Sequence, residues 1–139
     1  PRPEDLTPAD TSSYLVPDFA GEIRKFHPNV EEIITALNPS DEEIAAHCAQ
    51  AQNYALLIAA TINAINYPGQ ANLINTFANL SIPLIAIATR NPSDLYTFPH
   101  IPTYLCTYSI QPPSIQAVVE GLFGQIPISG KLPVTLPDL

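Results

Sequence analysis

The stretch Ile82–Ser109, IPLIAIATRNPSDLYTFPHIPTYLCTYS, contains two short apolar runs separated by a link rich in proline. The first run is followed by Arg90 and Asn91, and the second run ends at Tyr108. A short run that is apolar throughout and bounded by turn residues is typical of a strand covered on both faces in a parallel sheet. Polar residues directly after such strands lie at the sheet edge where α/β proteins bind ligands. The stretch therefore predicts two buried strands and a candidate site at their carboxyl ends.

The rest of the chain alternates strand patterns with helical patterns. Ser40 and Glu43 have the spacing of a capping box, which predicts a helix start, and Pro68 suits the first turn of another helix. The predicted helices begin near Asp18, Ser40, Pro68 and Pro112. The predicted strands are Val30–Leu37, Tyr54–Thr61, Pro83–Thr89 and Thr103–Tyr108. Strands that alternate with helices predict the α/β class, here a three-layer αβα sandwich with a mostly parallel sheet.

One strand is missing from this pattern. In a doubly wound sheet the first strand normally precedes the first helix and lies in the middle of the sheet. The segment before Phe19 contains no apolar run. Either the sheet starts unconventionally or its first strand lies upstream of Pro1, and we favour the second interpretation. Residues 1–139 are then expected to form a single domain of a longer protein. Near the other end, the proline-containing segment KLPVTL suits an edge strand or a surface strap.

Charge and composition exclude several classes of partner. Thirteen acidic residues against five basic ones give a formal net charge of −8, which disfavours binding to nucleic acid and to anionic membranes. The longest apolar run, Tyr54–Ile62, is too short to span a bilayer. Cys48 and Cys106 are the only cysteines and are expected to be free thiols, although spacing alone leaves a disulfide open. The cellular compartment is left open.

The sequence carries no recognisable catalytic, metal or cofactor motif. Its glycines form neither a G-x-S-x-G elbow nor a phosphate-binding loop. His47 and Cys48 are neighbours and point in different directions on a helix, so they do not form a metal site. The acidic pairs Glu31-Glu32 and Glu42-Glu43 are typical of a solvated surface. We therefore predict no catalytic residue, no metal ligand and no cofactor in this chain.

The candidate site is a rim of polar residues where the predicted strands end. Its members are Asn63, Tyr67, Arg90, Asn91, Asp94 and Tyr108. Two interpretations of the segment NPSD remain open. In one, Asn91 caps a short helical turn that begins at Pro92, with Asp94 in its first turn. In the other, these residues contact a ligand or a partner domain.

Several blocks of the sequence resemble one family. The order DLTPADTSSY, NPSDEEIAAH, INAINYPGQANLI, TRNPSDL, TYLCTYS, PPSIQAVVEGLFG and ISGKLPVTLP is similar to the carboxy-terminal α/β domain of glycoside hydrolase family 3. The branch it most resembles contains bacterial β-N-acetylglucosaminidases and β-glucosidase-like proteins. The match covers nearly the whole chain, and its most specific parts are the TRNPSDL–TYLCTYS region and SGKLPVTLP. The resemblance implies a flavodoxin-like fold whose first strand lies just before DLTPADTS.

The resemblance also implies where catalysis takes place. In this family the reaction belongs mainly to a preceding (β/α)8 barrel, with an aspartate nucleophile and, in the N-acetylglucosaminidase branch, a histidine–aspartate pair. The barrel motif of the K-H-F-P-G-H-G type is absent here, and RKFHPN is only a superficial echo of it. No catalytic residue can therefore be carried onto this chain.

Three functions are consistent with these observations. The first is a non-catalytic domain that packs on the catalytic barrel of a retaining glycosidase and meets carbohydrate substrate only through that parent protein. The second is a stand-alone module that binds a sugar or an anion at Asn63, Arg90 and Asn91. The third is an interaction module whose incomplete sheet pairs with another chain, including a second copy of itself.

Overall fold

The computed structural model describes residues 1–4, 14–133 and 135–136. Its centre is a parallel sheet of three strands in the order β1-β2-β3. The strands are β1 (Leu57–Thr61), β2 (Leu84–Ala88) and β3 (Tyr104–Cys106). The helices are α1 (Phe19–Arg24), α2 (Asp41–Ala51), α3 (Pro68–Ala78) and α4 (Pro112–Leu122), and a 3₁₀ helix spans Pro92–Thr97. The α/β class is thus confirmed, and three of the four predicted strands are present in shortened form.

The strand β2 is the centre of the molecule. It pairs with β1 on one edge and β3 on the other, and its residues Ala86, Ile87 and Ala88 are fully buried. On one face, Ala86 packs in a cluster with Ile74 of α3 and with Phe98. Ile87 points to the opposite face, because side chains alternate along a strand. Both faces are therefore covered, which explains why this strand is apolar throughout.

The helices form the two outer layers. Helix α2 packs against α3, and α1 packs against α4. The second pair is joined by Phe26 and Phe123, whose rings stack with their centroids 4.9 Å apart. With the sheet between the helix pairs, the molecule is an αβα sandwich. None of the helices in the described ranges is both long and apolar enough to cross a bilayer.

The predicted strand Val30–Leu37 was wrong: these residues form no strand. Residues 31–37 make no backbone–backbone hydrogen bond with any described residue. The physical reason is that none of the described strands lies beside them, and Ile33 and Ile34 are left exposed. Hydrophobic and β-branched composition alone does not make a strand when the hydrogen-bonding partner is missing.

This segment is nevertheless held at both ends. At its start, the Glu31 carboxylate accepts hydrogen bonds from the Tyr54 hydroxyl and, at 2.8 Å, from the side chain of Gln50. At its end, the Asn38 side chain accepts a 2.7 Å hydrogen bond from the backbone N–H of Gly69. Glycine permits this approach, since a Cβ at Gly69 would lie 2.3 Å from the carbonyl oxygen of the preceding loop.

The helix ends follow the sequence prediction. The Ser40 hydroxyl accepts from the N–H of Glu43 at 3.3 Å, and the Glu43 carboxylate accepts from the N–H of Ser40 at 2.8 Å, which completes the capping box. The carboxylate of Asp18 caps α1, which begins at Phe19 as predicted and ends at Arg24. Gly124 follows α4 with a φ of 70°. The segment DLTPADTSS lies outside the described residues, and the segment KLPVTLP is only partly described.

Candidate functional site at the carboxyl edge of the sheet

The three strands end at one edge of the sheet, and the predicted rim residues follow them there. Asn63 and Asp94 are buried, whereas Tyr67, Arg90 and Asn91 are half-buried and Tyr108 is exposed. Parallel strands deliver the residues at their carboxyl ends to the same edge. The structure brings Asp94 to the end of β1 and next to β3, so Asp94 is the centre of the candidate site.

Asp94 is a fully buried carboxylate. Its Oδ2 accepts a 2.7 Å hydrogen bond from the hydroxyl of Thr61, the last residue of β1. Its Oδ1 has no hydrogen-bond partner among the described residues. Burial raises the pKa of Asp94 above its usual 3.8, and the Thr61 hydroxyl and the backbone N–H groups of Ala64 and Ile65 oppose that rise. Asp94 therefore joins the 3₁₀ helix after β2 to the end of β1 through a desolvated carboxyl group.

Tyr104 and Cys106 of β3 lie beside Asp94 and remain protonated at neutral pH. The Tyr104 hydroxyl donates a 3.0 Å hydrogen bond to the carbonyl oxygen of Pro92. Burial raises the pKa of Tyr104, and the neighbouring acidic groups Cys106, Asp94 and Tyr108 raise it further. Burial also raises the pKa of the Cys106 thiol. A thiol with a raised pKa is a poor nucleophile, so this cluster contains no activated sulfur.

Cys48, on α2, is likewise free, as the sequence predicted, and burial raises the pKa of its thiol as well. Neither cysteine is fully buried: both are of intermediate exposure. The two thiols therefore behave as ordinary small side chains in this fold rather than as a redox pair.

Two rim residues adopt a left-handed backbone conformation. Asn63 has a φ of 52° and Tyr108 has a φ of 55°. Asparagine tolerates this region, but a tyrosine there carries a backbone cost of about 1–3 kcal/mol. Such outliers concentrate at ligand-binding edges, although sharp turns after strands also use them. Nothing in the sequence around Tyr108 signals this conformation.

The structure confirms the capping interpretation of the segment after β2. The Asn91 side chain accepts a 2.9 Å hydrogen bond from the N–H of Ser93, and Pro92 is the first residue of the 3₁₀ helix. Asp94 lies in its first turn. Tyr67 precedes the first residue of α3 and makes no side-chain cap. Contacts of these residues with a ligand or a partner domain stay predictions.

Sequence reasoning missed Thr61, Tyr104 and Cys106. The available signal was that Thr61 is the polar residue that ends an otherwise apolar run, as Thr89 ends the next apolar run along the chain. The side chain of Thr89 donates a 2.7 Å hydrogen bond to the carbonyl oxygen of Thr61, so the two threonines join neighbouring strand ends. These partners are far apart in the sequence, and only the pairing of the strands brings them together.

The acidic and metal-ligating residues do not assemble further. Asp94 is the only buried carboxylate in the described part of the chain. Within residues 1–4, 14–133 and 135–136, no group of three or more His, Cys, Asp or Glu side chains could hold a metal ion. The residues of the candidate site can hold the polar edge of the sheet in a fixed arrangement, and they can donate and accept hydrogen bonds there.

Comparison with known proteins gives two informative matches. The chain matches no protein-family model and no curated protein sequence. It does match the solved structure of a glycoside hydrolase family 3 β-N-acetylglucosaminidase from Paenibacillus sp. str. FPU-7, with a TM-score of 0.80 and 28% identity over 85% of this chain. It also matches a fungal multi-domain family 3 β-N-acetylglucosaminidase, described as containing a GCN5-related glucosamine N-acetyltransferase region, with a TM-score of 0.78 and 32% identity over 87% of this chain.

Both matched enzymes are much longer than this chain, which spans 23% of the first and 14% of the second. Fold and sequence nevertheless agree over most of residues 1–139. The resemblance indicated by the sequence is therefore confirmed: this chain is similar in fold and sequence to one segment of glycoside hydrolase family 3 β-N-acetylglucosaminidases, consistent with a carboxy-terminal domain of that family.

Proposed function

We propose that this chain is a non-catalytic domain of a family 3 glycosidase and that it supports a separate (β/α)8 catalytic domain of the same protein. The proposal rests on the observation that Asp94 has no second buried carboxylate beside it in the described part of the chain. Enzymatic hydrolysis of glycosides commonly uses two acidic groups that flank the scissile bond. Asp94 is buried, bound to Thr61, and has no second buried carboxylate with it in the described residues.

The proposed substrate of the parent protein is a β-N-acetylglucosaminide. Both matched solved structures are named β-N-acetylglucosaminidases, which favours this branch over β-glucosidases. One of the two is fungal, so these matches do not favour a bacterial origin for this chain. The proposed partners are the catalytic barrel, through direct packing, and carbohydrate, through the parent protein alone.

The first experiment measures hydrolysis of p-nitrophenyl N-acetylglucosaminide by residues 1–139 alone. We expect no release of p-nitrophenol above the buffer blank. Turnover by the chain that is abolished in Asp94→Asn and kept in Glu42→Gln would contradict the proposal. Glu42 is the matched control because it is an exposed acidic residue on α2.

The second experiment tests the supporting role. The segment of the Paenibacillus enzyme that matches this chain is replaced by residues 1–139, and a deletion of the same segment serves as the control. We expect the chimera to retain soluble expression and N-acetylglucosaminidase activity that the deletion loses. A chimera as inactive as the deletion would count against a role in supporting the barrel.

A second candidate function is binding of a small sugar or anion at the carboxyl edge of the sheet. A sugar is favoured over an anion, because a sugar hydroxyl can donate to the buried Oδ1 of Asp94, which has no partner among the described residues, whereas a carboxylate repels an anion. The left-handed Asn63 lies at the same edge of the sheet. Titration calorimetry with N-acetylglucosamine tests it, comparing Arg90→Ala with the exposed control Lys131→Ala. Heat that is lost only in Arg90→Ala supports this candidate, and no heat with any of the proteins removes it.

A further inference from the structure

The sequence contains three Asn-x-Ser triplets, and one of them has the form that accepts an N-linked glycan. The acceptor sequence is Asn-x-Ser or Asn-x-Thr, where x is any residue except proline. Proline occupies the middle position after Asn38 and after Asn91, so both of those triplets are excluded. The third triplet is Asn79-Leu80-Ser81, which fits the pattern. The chain therefore carries a single candidate acceptor, Asn79.

The structure separates the three asparagines in the same way. The side chains of Asn38 and Asn91 accept backbone hydrogen bonds that hold a loop and cap a helical turn, so both take part in the fold. The side chain of Asn79 is exposed, and its Nδ2 donates a 3.0 Å hydrogen bond to the carbonyl oxygen of Asn75, one turn earlier in α3. This contact stays within one helix. The Asn79 amide is thus accessible, and within the described ranges it joins no separate parts of the fold.

Asn79 lies where α3 ends and the turn into β2 begins. It is the C-cap residue of α3, and Ser81 in the following turn is exposed as well. Surface turns are where N-linked acceptor sequences are found in proteins that carry them. Because α3 starts after the carboxyl end of β1 and leads back to the start of β2, this turn lies at the amino edge of the sheet. A glycan here leaves the candidate site at the carboxyl edge uncovered.

The outer face of the layer formed by α2 and α3 is polar. A shallow groove runs between the two helices, and its α3 side is lined by Asn72, Asn75, Thr76 and Asn79. The large apolar side chains that the described residues expose all lie outside α2 and α3. Surfaces that pack on another protein usually present an apolar patch. This face therefore has the composition of one that remains in solvent, where a bulky hydrophilic group has room.

We propose that Asn79 is the attachment site of an N-linked oligosaccharide, transferred from a lipid-linked oligosaccharide pyrophosphate. A bond forms between Nδ2 of Asn79 and the anomeric carbon of the first sugar. The bond between that carbon and the pyrophosphate oxygen breaks, the lipid pyrophosphate leaves, and Nδ2 loses one hydrogen as a proton. Nδ2 keeps its second hydrogen as a donor. The inference is independent of the proposed glycosidase role, and it implies that the natural protein enters a secretory compartment.

The first experiment maps the site on the protein isolated from the cells that produce it naturally. Peptide N-glycosidase removes an N-linked glycan and converts its asparagine to aspartate, which takes up heavy oxygen when the reaction is run in heavy-oxygen water. Mass spectrometry then reads the peptides of α3. We expect labelled aspartate at position 79 and unchanged asparagine at Asn72. A natural protein in which Asn79 is entirely unmodified overturns the proposal.

The second experiment tests whether the triplet itself directs the modification. Residues 1–139 are expressed in yeast behind a secretion signal, and cells and medium are analysed together by gel electrophoresis. We expect a slower band that peptide N-glycosidase returns to the mobility of the bare chain. Ser81→Ala should lose this band although Asn79 is retained, whereas Ser81→Thr should keep it. A slower band that persists in Ser81→Ala, or its absence from the wild type, contradicts the proposal.

The matched control is Asn72→Gln, which changes another exposed asparagine of α3 that belongs to no acceptor triplet. It should keep the slower band in full. Loss of the band in Asn72→Gln would place the glycan elsewhere than Asn79 and would likewise overturn the proposal.

Discussion

Asp94 and Thr61 show how a single hydrogen bond positions the candidate site. The carboxylate joins the segment after β2 to the end of β1. It is buried, and its Oδ1 has no hydrogen-bond partner among the described residues. A buried charge of this kind is costly unless its oxygens accept hydrogen bonds. The free energy of unfolding should therefore be more sensitive to the loss of the Thr61 hydroxyl, the one side chain that donates to Asp94, than to substitutions on the surrounding surface.

Replacing Thr61 by valine tests that sensitivity. Valine keeps the shape of the side chain but removes the hydroxyl that donates to Asp94, so we expect the free energy of unfolding to fall by about 1–3 kcal/mol. Thr61→Ser, which keeps the hydroxyl, should recover part of this loss. Urea denaturation followed by circular dichroism measures both variants. Equal stability of Thr61→Val and the wild type would show that this hydrogen bond makes no net contribution to the free energy of unfolding.

The raised pKa of Asp94 predicts a pH dependence of definite sign. A carboxyl group whose pKa is higher in the folded state contributes stability that is fully present below its unfolded value of 3.8 and is lost as the pH rises through the folded value. We expect the stability of the wild type, relative to Asp94→Asn, to fall as the pH is raised from about 4 towards neutral. Urea denaturation at several pH values measures this difference.

The control for the pH series is Glu42→Gln, which removes one negative charge from an exposed position on α2. Its stability relative to the wild type should not follow the same curve. A difference between the wild type and Asp94→Asn that stays flat, or that rises with pH, would contradict the assignment of a desolvated carboxylate to this position.

At the scale of elements, Gln70 joins three parts of the fold. It belongs to α3 and binds both the end of β1 and the end of the segment 31–37. An amide at this position satisfies backbone groups of Ile62 and Leu37 that none of the described strands reaches. Helix α3 therefore contributes to the sheet through hydrogen bonding as well as through apolar packing.

Replacing Gln70 by leucine keeps the volume and removes these hydrogen bonds. The buried backbone groups of Ile62 and the part-buried carbonyl oxygen of Leu37 lose their partner, so we expect a loss of at least about 2 kcal/mol in the free energy of unfolding. The matched control is Gln116→Leu on α4, an exposed position where a change within about 0.5 kcal/mol is expected. Chemical denaturation compares the two, and similar losses in both variants would contradict the bridging role.

The sequence was informative where a pattern is local and less so where it depends on a neighbour. The capping box at Ser40 and the turn at Asn91 each lie within a few residues; the first was predicted outright and the second as one of two interpretations, and the structure contains both. The prediction of a strand over residues 31–37 was wrong because strand formation needs a hydrogen-bonded partner, which local composition does not reveal. The Thr61–Asp94 contact joins residues 33 positions apart and could not be read before the strands were paired.

At the scale of the whole molecule, stability should decrease from β2 outwards. Ala86, Ile87 and Ala88 are fully buried between two strands and two layers, whereas residues 31–37 have no backbone–backbone hydrogen bond in the described structure. We expect amides of β2 to exchange with solvent at least about 100 times more slowly than those of residues 31–36. Hydrogen exchange by NMR measures both regions in one sample. Comparable rates in the two regions would contradict this gradient.

The pairing of α1 with α4 has a consequence for biosynthesis. The stacked rings of Phe26 and Phe123 come from nearly opposite ends of the described chain. A ribosome delivers polypeptide from the amino end, so α1 leaves the exit tunnel long before its companion has been translated. The nascent protein keeps that helix uncovered, or shielded by a chaperone, until the ribosome has passed Phe123, so this layer closes after the layer of α2 and α3.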